Sequence, residues 1–259
     1  MNDSPILELR GVSKAFGAVQ ALYEVDFHVA AGEVMALVGD NGAGKSTLIK
    51  CIAGIYSSDS GEILYNGEPV SIHGPKDAAK LGIEVVYQDL ALADNLDVVQ
   101  NMFLGREETT SLRRLDEVDM ERRAKETLQT LSVTTIRSVR QTVAGLSGGQ
   151  RQSVAVAKAV MWNSKVVILD EPTAALGVAQ TRQVLDLVRR LGEQGLAVVL
   201  VSHNLHDVFE VSDSVTVLRL GQNVAEFKTK ETNQTEVVEA ITAGKLSKIP
   251  GQPAAEVVV

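Results

Sequence analysis

The chain has 259 residues, of which 45% are apolar, enough to bury a full core in one large domain or in one domain with an inserted lobe. Its only cysteine, Cys51, rules out an intramolecular disulfide framework, and a formal net charge of -8 disfavours a general electrostatic footprint for nucleic acid. The first ten residues have no apolar signal core, and no stretch approaches the roughly 18 apolar residues of a membrane span, so we expect a cytoplasmic protein.

The N-terminal third carries short strand-like pieces at residues 6–12, 21–29 and 61–65, and the last of them is followed by the turn Asn66-Gly67. Short apolar runs separated by such turns predict antiparallel pairing. We therefore expect an antiparallel β layer in this part of the chain.

A glycine-rich loop follows the apolar run at residues 34–38: Gly39-Asp40-Asn41-Gly42-Ala43-Gly44-Lys45-Ser46. A buried strand, this loop and a helix opening at Ser46-Thr47 form the pattern of a phosphate-binding loop, in which backbone N–H groups turn toward one anion. Lys45 can reach the β- and γ-phosphates and the Ser46 hydroxyl can ligate Mg²⁺. The predicted nucleotide ligands are Gly39, Asn41, Gly42, Ala43, Gly44, Lys45, Ser46 and Thr47. A chance glycine-rich turn is the alternative.

Three further apolar runs end in polar residues: residues 83–87 lead to Gln88, 166–169 to Asp170-Glu171, and 197–202 to His203. Alternation of such runs with helical patterns predicts an α/β fold with a largely parallel core sheet. Open α/β sheets bind ligands beyond the carboxyl ends of their strands, so these groups are expected to converge on one nucleotide.

The stretch between Gln88 and Val166 is helical in pattern, with an amphipathic segment at residues 119–131. We predict a single domain over residues 1–244, with a core of 1–90 and 162–244 and an inserted helical subdomain of 91–161. Residues 245–259 are predicted to form a flexible tail.

A last motif lies within the helical stretch, at residues 146–150. Together with the phosphate loop and Asp170-Glu171, the string Leu146-Ser147-Gly148-Gly149-Gln150 resembles the ABC-transporter ATP-binding proteins, over nearly the whole chain from about residue 7 to 244. The resemblance implies a P-loop NTPase of RecA-like fold. Three motifs are similar in their residues to the ATP-binding subunits of bacterial ribose, xylose and fructose importers. They are the phosphate loop, Tyr87-Gln88-Asp89-Leu90 and Glu171-Pro172-Thr173-Ala174. Because the chain shows no internal repeat, it resembles their single-cassette, fructose-type members.

The resemblance implies roles for five residues. Phe16 matches the aromatic residue that stacks on adenine, and Gln88 matches the glutamine that touches Mg²⁺ or its water and links the site to the membrane partner. Asp170 matches the aspartate that holds Mg²⁺, Glu171 would orient the attacking water, and His203 matches the histidine that contacts the γ-phosphate. The alternatives are an ordinary core phenylalanine, a loop glutamine without a role and a structural histidine.

In the family, Ser147, Gly148, Gly149 and Gln150 bind the γ-phosphate held by the opposite subunit, since a serine and glycine amides at a helix start form an anion-binding end. The resemblance thus implies a head-to-tail dimer of two copies that enclose two ATP molecules. One departure concerns Gly177, where the family pattern has an aspartate that crosses the interface. Without that carboxylate, communication between the two sites is expected to be weaker or to depend on backbone groups.

The expected function is that of an ATP-hydrolysing subunit, with Mg²⁺, of an importer for a small solute, most simply a monosaccharide. Its expected partners are membrane permease subunits and, indirectly, a periplasmic sugar-binding protein, which places it on the inner face of the cell membrane. The alternative is a soluble ABC ATPase acting on ribosomes or nucleic acid, against which the short insertion and the acidic balance argue. Nothing in the chain identifies the sugar.

Overall fold

Ten strands and eight α-helices, with two short 3₁₀ helices, make up the fold in the computed structural model, which describes residues 4–111 and 114–244. The predicted tail, 245–259, lies outside the described residues. The strands are, in chain order, β1 (Pro5–Phe16), β2 (Val19–Ala30), β3 (Val34–Val38), β4 (Ser60–Tyr65), β5 (Glu68–Val70), β6 (Ile83–Val86), β7 (Val166–Asp170), β8 (Ala197–Val201), β9 (Ser214–Arg219) and β10 (Gln222–Lys228). The helices are α1 (Lys45–Ile52), α2 (Pro75–Lys80), α3 (Val98–Phe103), α4 (Glu117–Thr130), α5 (Gly148–Val160), α6 (Val178–Glu193), α7 (Leu205–Val211) and α8 (Gln234–Ala243).

The first sheet is antiparallel and has the order β2-β1-β4-β5. Its strands β1 and β2 run for 12 residues each, longer than the predicted segments, and stay paired up to Phe16 opposite Val19. Several shifts of register interrupt this pairing. Such bulges break the simple alternation of apolar and polar residues, which is why the sequence pattern predicted shorter pieces. The predicted antiparallel layer is confirmed.

The second sheet has the order β10-β9-β3-β8-β7-β6, in which five strands are parallel and β10 pairs antiparallel at the edge. Every residue of the central strands β3 and β8 is buried, as expected for a parallel sheet covered on both faces. The parallel order brings the carboxyl ends of β3, β7 and β8 side by side. The predicted α/β fold with a mostly parallel core is confirmed.

The helical region between β6 and β7 contains α3, α4 and α5. Helix α4 begins two residues earlier than predicted because the Asp116 side chain caps it by accepting a hydrogen bond from the Asp119 N–H. Met102 and Met120 from these helices share one apolar cluster with Leu169 and Leu200 of the sheet. The helices therefore pack directly on the sheet, while the division into a core and a subdomain at 91–161 stays a prediction.

The state of the only cysteine and the length of the helices are two further features of the fold. Cys51 is buried in α1, and burial raises the pKa of its thiol to about 11, which keeps it protonated and unreactive at neutral pH. Within 4–111 and 114–244, no helix combines the length and the apolar composition that crossing a membrane requires.

Candidate nucleotide-binding site

The loop between β3 and α1 owes its shape to glycines at positions where a side chain would not fit. Gly39 has a φ of 151°, and a Cβ built there would lie 2.2 Å from the Leu218 carbonyl oxygen of β9. Gly44 has a φ of 105°, and its Cβ would lie 2.8 Å from the Ala21 carbonyl oxygen of β2. Both approaches are to backbone atoms, so the loop can adopt this path only with glycine at these positions.

The N-terminus of α1 is open toward the loop. Gly44 is its N-cap residue and no side chain accepts a hydrogen bond from its first turn, so these N–H groups are available to an anion. The Lys45 Nζ lies over the loop and donates to the carbonyl oxygens of Gly39 at 2.6 Å and of Asp40 at 3.0 Å. Burial lowers the pKa of Lys45, although the nearby carboxylates of Glu171 and Asp170 oppose this shift. A bound phosphate would offset the cost of burying this ammonium group.

Two carboxylates stand at the end of β7. Burial raises the pKa of Asp170, and the charge of Glu171 raises it further, whereas Lys45 and Lys50 lower it. Such a pair of crowded carboxylates favours the binding of a cation.

Glu171 lies in a strained turn against His203. Its φ of 51° is in the left-handed region, which costs a non-glycine residue about 1–3 kcal/mol. Its N–H donates to the Val201 carbonyl oxygen at 2.9 Å, which ties it to the end of β8. The Nδ1 of His203 lies 2.7 Å from the Oε2 of Glu171, while the rest of the histidine side chain is largely exposed. The ends of β7 and β8 thus bring these two predicted catalytic groups into contact.

A cavity of about 340 Å³ connects the loop with the strand ends. It is lined by ten of the predicted site residues: Asn41, Gly42, Ala43, Gly44, Lys45, Ser46, Thr47, Gln88, Asp170 and Glu171. Of the four strand ends predicted to converge on one site, those of β3, β6 and β7 contribute residues to this cavity. His203 reaches the cavity through its contact with Glu171.

Three lining residues were missed by the sequence reasoning: Val19, Gln20 and Ala21 at the start of β2. Val19 is 66% exposed although it is apolar, and it pairs with Phe16 across the hairpin. Phe16 itself is outside the lining; it is 43% exposed and contacts Tyr56 edge-on with 5.0 Å between ring centroids. The signal in the sequence was the adenine contact predicted for Phe16, because Val19 follows it by only three positions.

The Ser147 motif lies apart from this cavity. Ser147 caps α5, with its Oγ accepting from the Gln150 N–H at 3.3 Å and the Gln150 Oε1 accepting from the Ser147 N–H at 2.8 Å. This capping box makes α5 begin at Gly148, two residues before the predicted start near Gln150. Gly148 and Gly149 pack against Leu176 and Gln180, where a Cβ would come within 2.8 Å and 3.1 Å of the neighbouring side-chain atoms. The four motif residues are absent from the cavity lining.

Gly177 occupies the N-cap position of α6 and has no side chain that could cap the helix. Its φ of -73° is open to any residue, and a Cβ built there would meet no atom within 4 Å. The backbone therefore does not require glycine at this position.

A glycine loop between β3 and α1, with acidic residues at the end of β7 two strands away in the same sheet, defines a P-loop nucleotide-binding protein. The family model described as "ABC transporter" matches residues 22–174. The chain belongs to the ABC-transporter family, as its motifs predicted.

Relatives and solved structures agree with this assignment. The chain is 45% identical to the fructose import ATP-binding protein of Rhizobium meliloti, covering 95% of this chain and 96% of the relative. It is also 45% identical to the xylose/arabinose import ATP-binding protein of Sulfolobus acidocaldarius, covering 95% and 97%. Its fold is similar to the ADP conformation of an ATP-binding cassette of an ABC transporter, with a TM-score of 0.79, 26% identity and 94% and 97% coverage. A dimeric cassette in a post-hydrolysis state, bound to ADP and Pi, gives a TM-score of 0.72, 25% identity and 87% and 100% coverage.

Proposed function

We propose that this chain is the ATP-hydrolysing subunit of an ABC importer and energises the uptake of a monosaccharide. The observation that carries the proposal is the cavity in which the phosphate loop, the Asp170 carboxylate and the strained Glu171 beside His203 face one another. The similarity over full length to two sugar-import ATP-binding proteins supports the choice of solute class. The ribosome or nucleic-acid alternative is disfavoured by these relatives and by the net charge of -8.

The phosphates of ATP fit the open end of α1. The amides of residues 44–47 and the Lys45 ammonium group supply donors on one side of the cavity, and the positive end of the helix dipole adds to them. Phe16 and Val19 at the rim offer apolar area to the adenine base.

Magnesium suits the oxygen atoms that the same cavity presents. The Ser46 hydroxyl, the Gln88 amide and the Asp170 carboxylate are hard ligands, and a cation bound by one or two carboxylates and substrate phosphates is typical of Mg²⁺. Burial and, after it, the charge of Glu171 raise the pKa of Asp170, and a bound cation would favour the charged carboxylate again. Bound there, magnesium would neutralise charge on the β- and γ-phosphate oxygens.

In hydrolysis, water attacks the γ-phosphorus of ATP, and the bond between the γ-phosphorus and the β-γ bridging oxygen breaks. Glu171 is placed to orient and polarise this water, because the residue lines the cavity, His203 contacts its carboxylate, and its backbone N–H is bonded to the Val201 carbonyl oxygen of β8. His203 remains exposed enough to contact the γ-phosphate as well.

A second copy of the chain would complete the site. Ser147, Gly148 and Gly149 form an anion-binding helix end that does not line the cavity of their own chain. In a head-to-tail dimer this end would meet the γ-phosphate bound by the partner, so that two ATP molecules hold the two copies together. The dimeric cassette of similar fold supports this arrangement.

Membrane permease subunits would dock beside Gln88, on the cytoplasmic face of the membrane, with a periplasmic sugar-binding protein delivering the solute from the other side. A groove of about 330 Å³ lies there between β6, α3 and α5, and its lining includes Tyr87, Leu90 and the partly exposed Leu104. ATP-driven closure of the dimer would move this groove and thereby the permease.

The docking surface can be tested with Leu104→Asp, for which we expect recovery with permease-containing membranes to fall about tenfold or more, because a charge enters an apolar contact. ATP binding should stay unchanged. Val118→Asp is the matched control, since Val118 is also exposed and apolar but lies on α4. Equal loss of membrane recovery in both variants would contradict the assignment of this groove.

The function itself is tested by reconstituting the chain with its permease in vesicles and measuring ATP-dependent uptake of labelled fructose, xylose and ribose. We expect uptake of at least one of these sugars with Mg-ATP and none with Glu171→Gln. Mg-dependent hydrolysis that is stimulated by ribosomes or DNA and not by the permease would contradict the proposal.

A further inference from the structure

We propose that Thr173 and Asp207 form a positioning pair that holds Glu171 in its working orientation. The Thr173 Oγ1 donates to the Asp207 Oδ2 at 2.7 Å, linking the turn after β7 to the first turn of α7. The inference rests on the proposed ATP hydrolysis, because it concerns how the group that acts on water is held.

The turn after β7 needs to be held from outside. Glu171 and Ala175 have φ values of 51° and 59°, so two non-glycine residues within five positions lie in the left-handed region. Each is strained relative to an ordinary conformation, and such strain persists only where surrounding contacts enforce it. Three backbone hydrogen bonds contribute, from the Glu171 N–H to Val201, from the Ala174 N–H to Glu171 and from the Leu176 N–H to Thr173. The Thr173–Asp207 bond adds a side-chain contact to a different element.

Asp207 is a strong anchor for this contact. The residue is only 4% exposed, and a buried carboxylate is costly unless donors satisfy it. The Thr173 hydroxyl is such a donor at 2.7 Å, whereas His206 Nδ1 lies 3.9 Å from the other oxygen. Hydrogen bonds to charged groups are stronger than those between neutral groups, so this bond can help to offset the strain in the turn.

The pair also connects the two segments that carry the reacting groups. Thr173 lies two residues after Glu171, and Asp207 lies four residues after His203, on the helix that continues from the histidine. The Glu171–His203 contact and the Thr173–Asp207 bond are therefore two parallel links between the same pair of loops. Breaking the second link lets the turn relax and shifts the first.

Thr173 is outside the lining of the nucleotide cavity, so it acts through Glu171 rather than on ATP. A displacement of about 1 Å at a reacting group can cost up to about 100-fold in rate without changing how the substrate is held. The signature expected of a positioning residue is a fall in the rate of hydrolysis at unchanged affinity for ATP.

The test compares Thr173→Val, which keeps the shape and removes the hydroxyl, with Thr173→Ser, which keeps the hydroxyl. We expect single-turnover hydrolysis by the purified chain to fall about tenfold in the valine variant and to recover to within about threefold of wild type in the serine variant. The dissociation constant for ATP should change by less than about twofold in both. The matched control is Thr127→Val, because Thr127 is also partly buried and its hydroxyl donates to the Arg123 carbonyl oxygen at 2.9 Å, remote from the site.

A second measurement shows whether Thr173 acts through Glu171. In a Glu171→Gln background, Thr173→Val should lower the residual rate by less than about twofold, because the group it positions is already disabled. A further tenfold loss in that background would overturn the proposal, and so would a wild-type rate in the single valine variant.

Should the valine variant bind ATP poorly, Asp207→Asn and Asp207→Leu give the same comparison from the other partner. Asn keeps an oxygen that accepts from Thr173 and should hydrolyse ATP near the wild-type rate, whereas Leu should lose about tenfold at unchanged ATP affinity. Parallel loss of ATP affinity and rate in both pairs of variants would show a purely structural role. An inactive wild-type chain would instead contradict the proposed function, so the two failures are distinguishable.

Discussion

The starts of helices α1 and α5 look alike in sequence. They differ in whether a side chain accepts a hydrogen bond from their first N–H groups. Both begin with glycine-rich segments, and both present N–H groups that lack partners within the helix. At α1 no side chain caps these groups, whereas at α5 the Ser147–Gln150 capping box closes the end from within the chain. The first end is therefore incomplete without a ligand, and the second is stable alone.

In the proposed head-to-tail dimer, this difference allows the α5 end to stay folded before it meets the partner's ATP. The Ser147 Oγ uses a lone pair to accept from the Gln150 N–H, so its own O–H proton is still free to be donated to a phosphate. The N–H groups of Gly148 and Gly149 also remain without intrahelical partners. The α5 end can thus bind the partner's ATP without giving up the cap that stabilises it.

The largest effect is expected at the open end, for Lys45→Ala. Losing a hydrogen-bonded charge on the phosphates costs about 1.5–3 kcal/mol, which corresponds to roughly 10- to 100-fold weaker ATP binding. Equilibrium binding of a fluorescent ATP analogue measures this, and Lys80→Ala is the control because Lys80 is an exposed lysine paired with Asp77 on α2. Unchanged affinity in Lys45→Ala would contradict the assignment of the phosphate site.

At the capped end, Ser147→Ala should separate the two duties of the serine. Loss of the cap should destabilise the fold by about 1 kcal/mol and lower Tm by about 2–4 °C. Hydrolysis should fall about tenfold while the affinity of one chain for ATP is retained, since the lost donor serves the partner's phosphate. Thermal unfolding and steady-state hydrolysis measure these effects. The control is Ser138→Ala, because the Ser138 hydroxyl accepts from the Arg140 N–H in a loop. Wild-type hydrolysis in Ser147→Ala would mean that α5 does not complete the site.

The smallest effect is expected at a third helix start, that of α6, where Gly177 provides no cap. Gly177→Asp adds a capping carboxylate at the positive helix end and should stabilise the fold by a few tenths of a kcal/mol, because the position is sterically open. ATP affinity should stay within about twofold, and the Hill coefficient for hydrolysis by the assembled transporter should change. Gly177→Asn caps without adding charge, so it separates stability from cooperativity. A large loss of ATP binding in Gly177→Asp would show that glycine is needed here after all.

Much of the fold and of the candidate site could be predicted because the informative residues lie in short contiguous motifs. The phosphate loop, the residues at the ends of β6, β7 and β8 and the Ser147 motif are each contiguous, and strand-end geometry alone brings most of them together. What the sequence did not reveal depends on contacts between distant segments. Gly39 is confined by Leu218, Ala21 of β2 lines the cavity, and Thr173 finds its partner at Asp207. Such pairs follow from how the sheets and helices pack, and no periodic pattern records them.

The central claim, that a whole site needs two chains joined by ATP, is tested most directly by size-exclusion chromatography of Glu171→Gln with Mg-ATP. Glutamine keeps the shape of the side chain and should leave ATP binding intact while slowing hydrolysis, so the ATP that joins the chains persists. We predict elution at twice the 27.7 kDa mass of the chain, a return to the monomer when Ser147→Ala is added, and a mostly monomeric wild type. A Glu171→Gln protein that binds ATP tightly yet stays monomeric, or that hydrolyses ATP at the wild-type rate, would contradict the account.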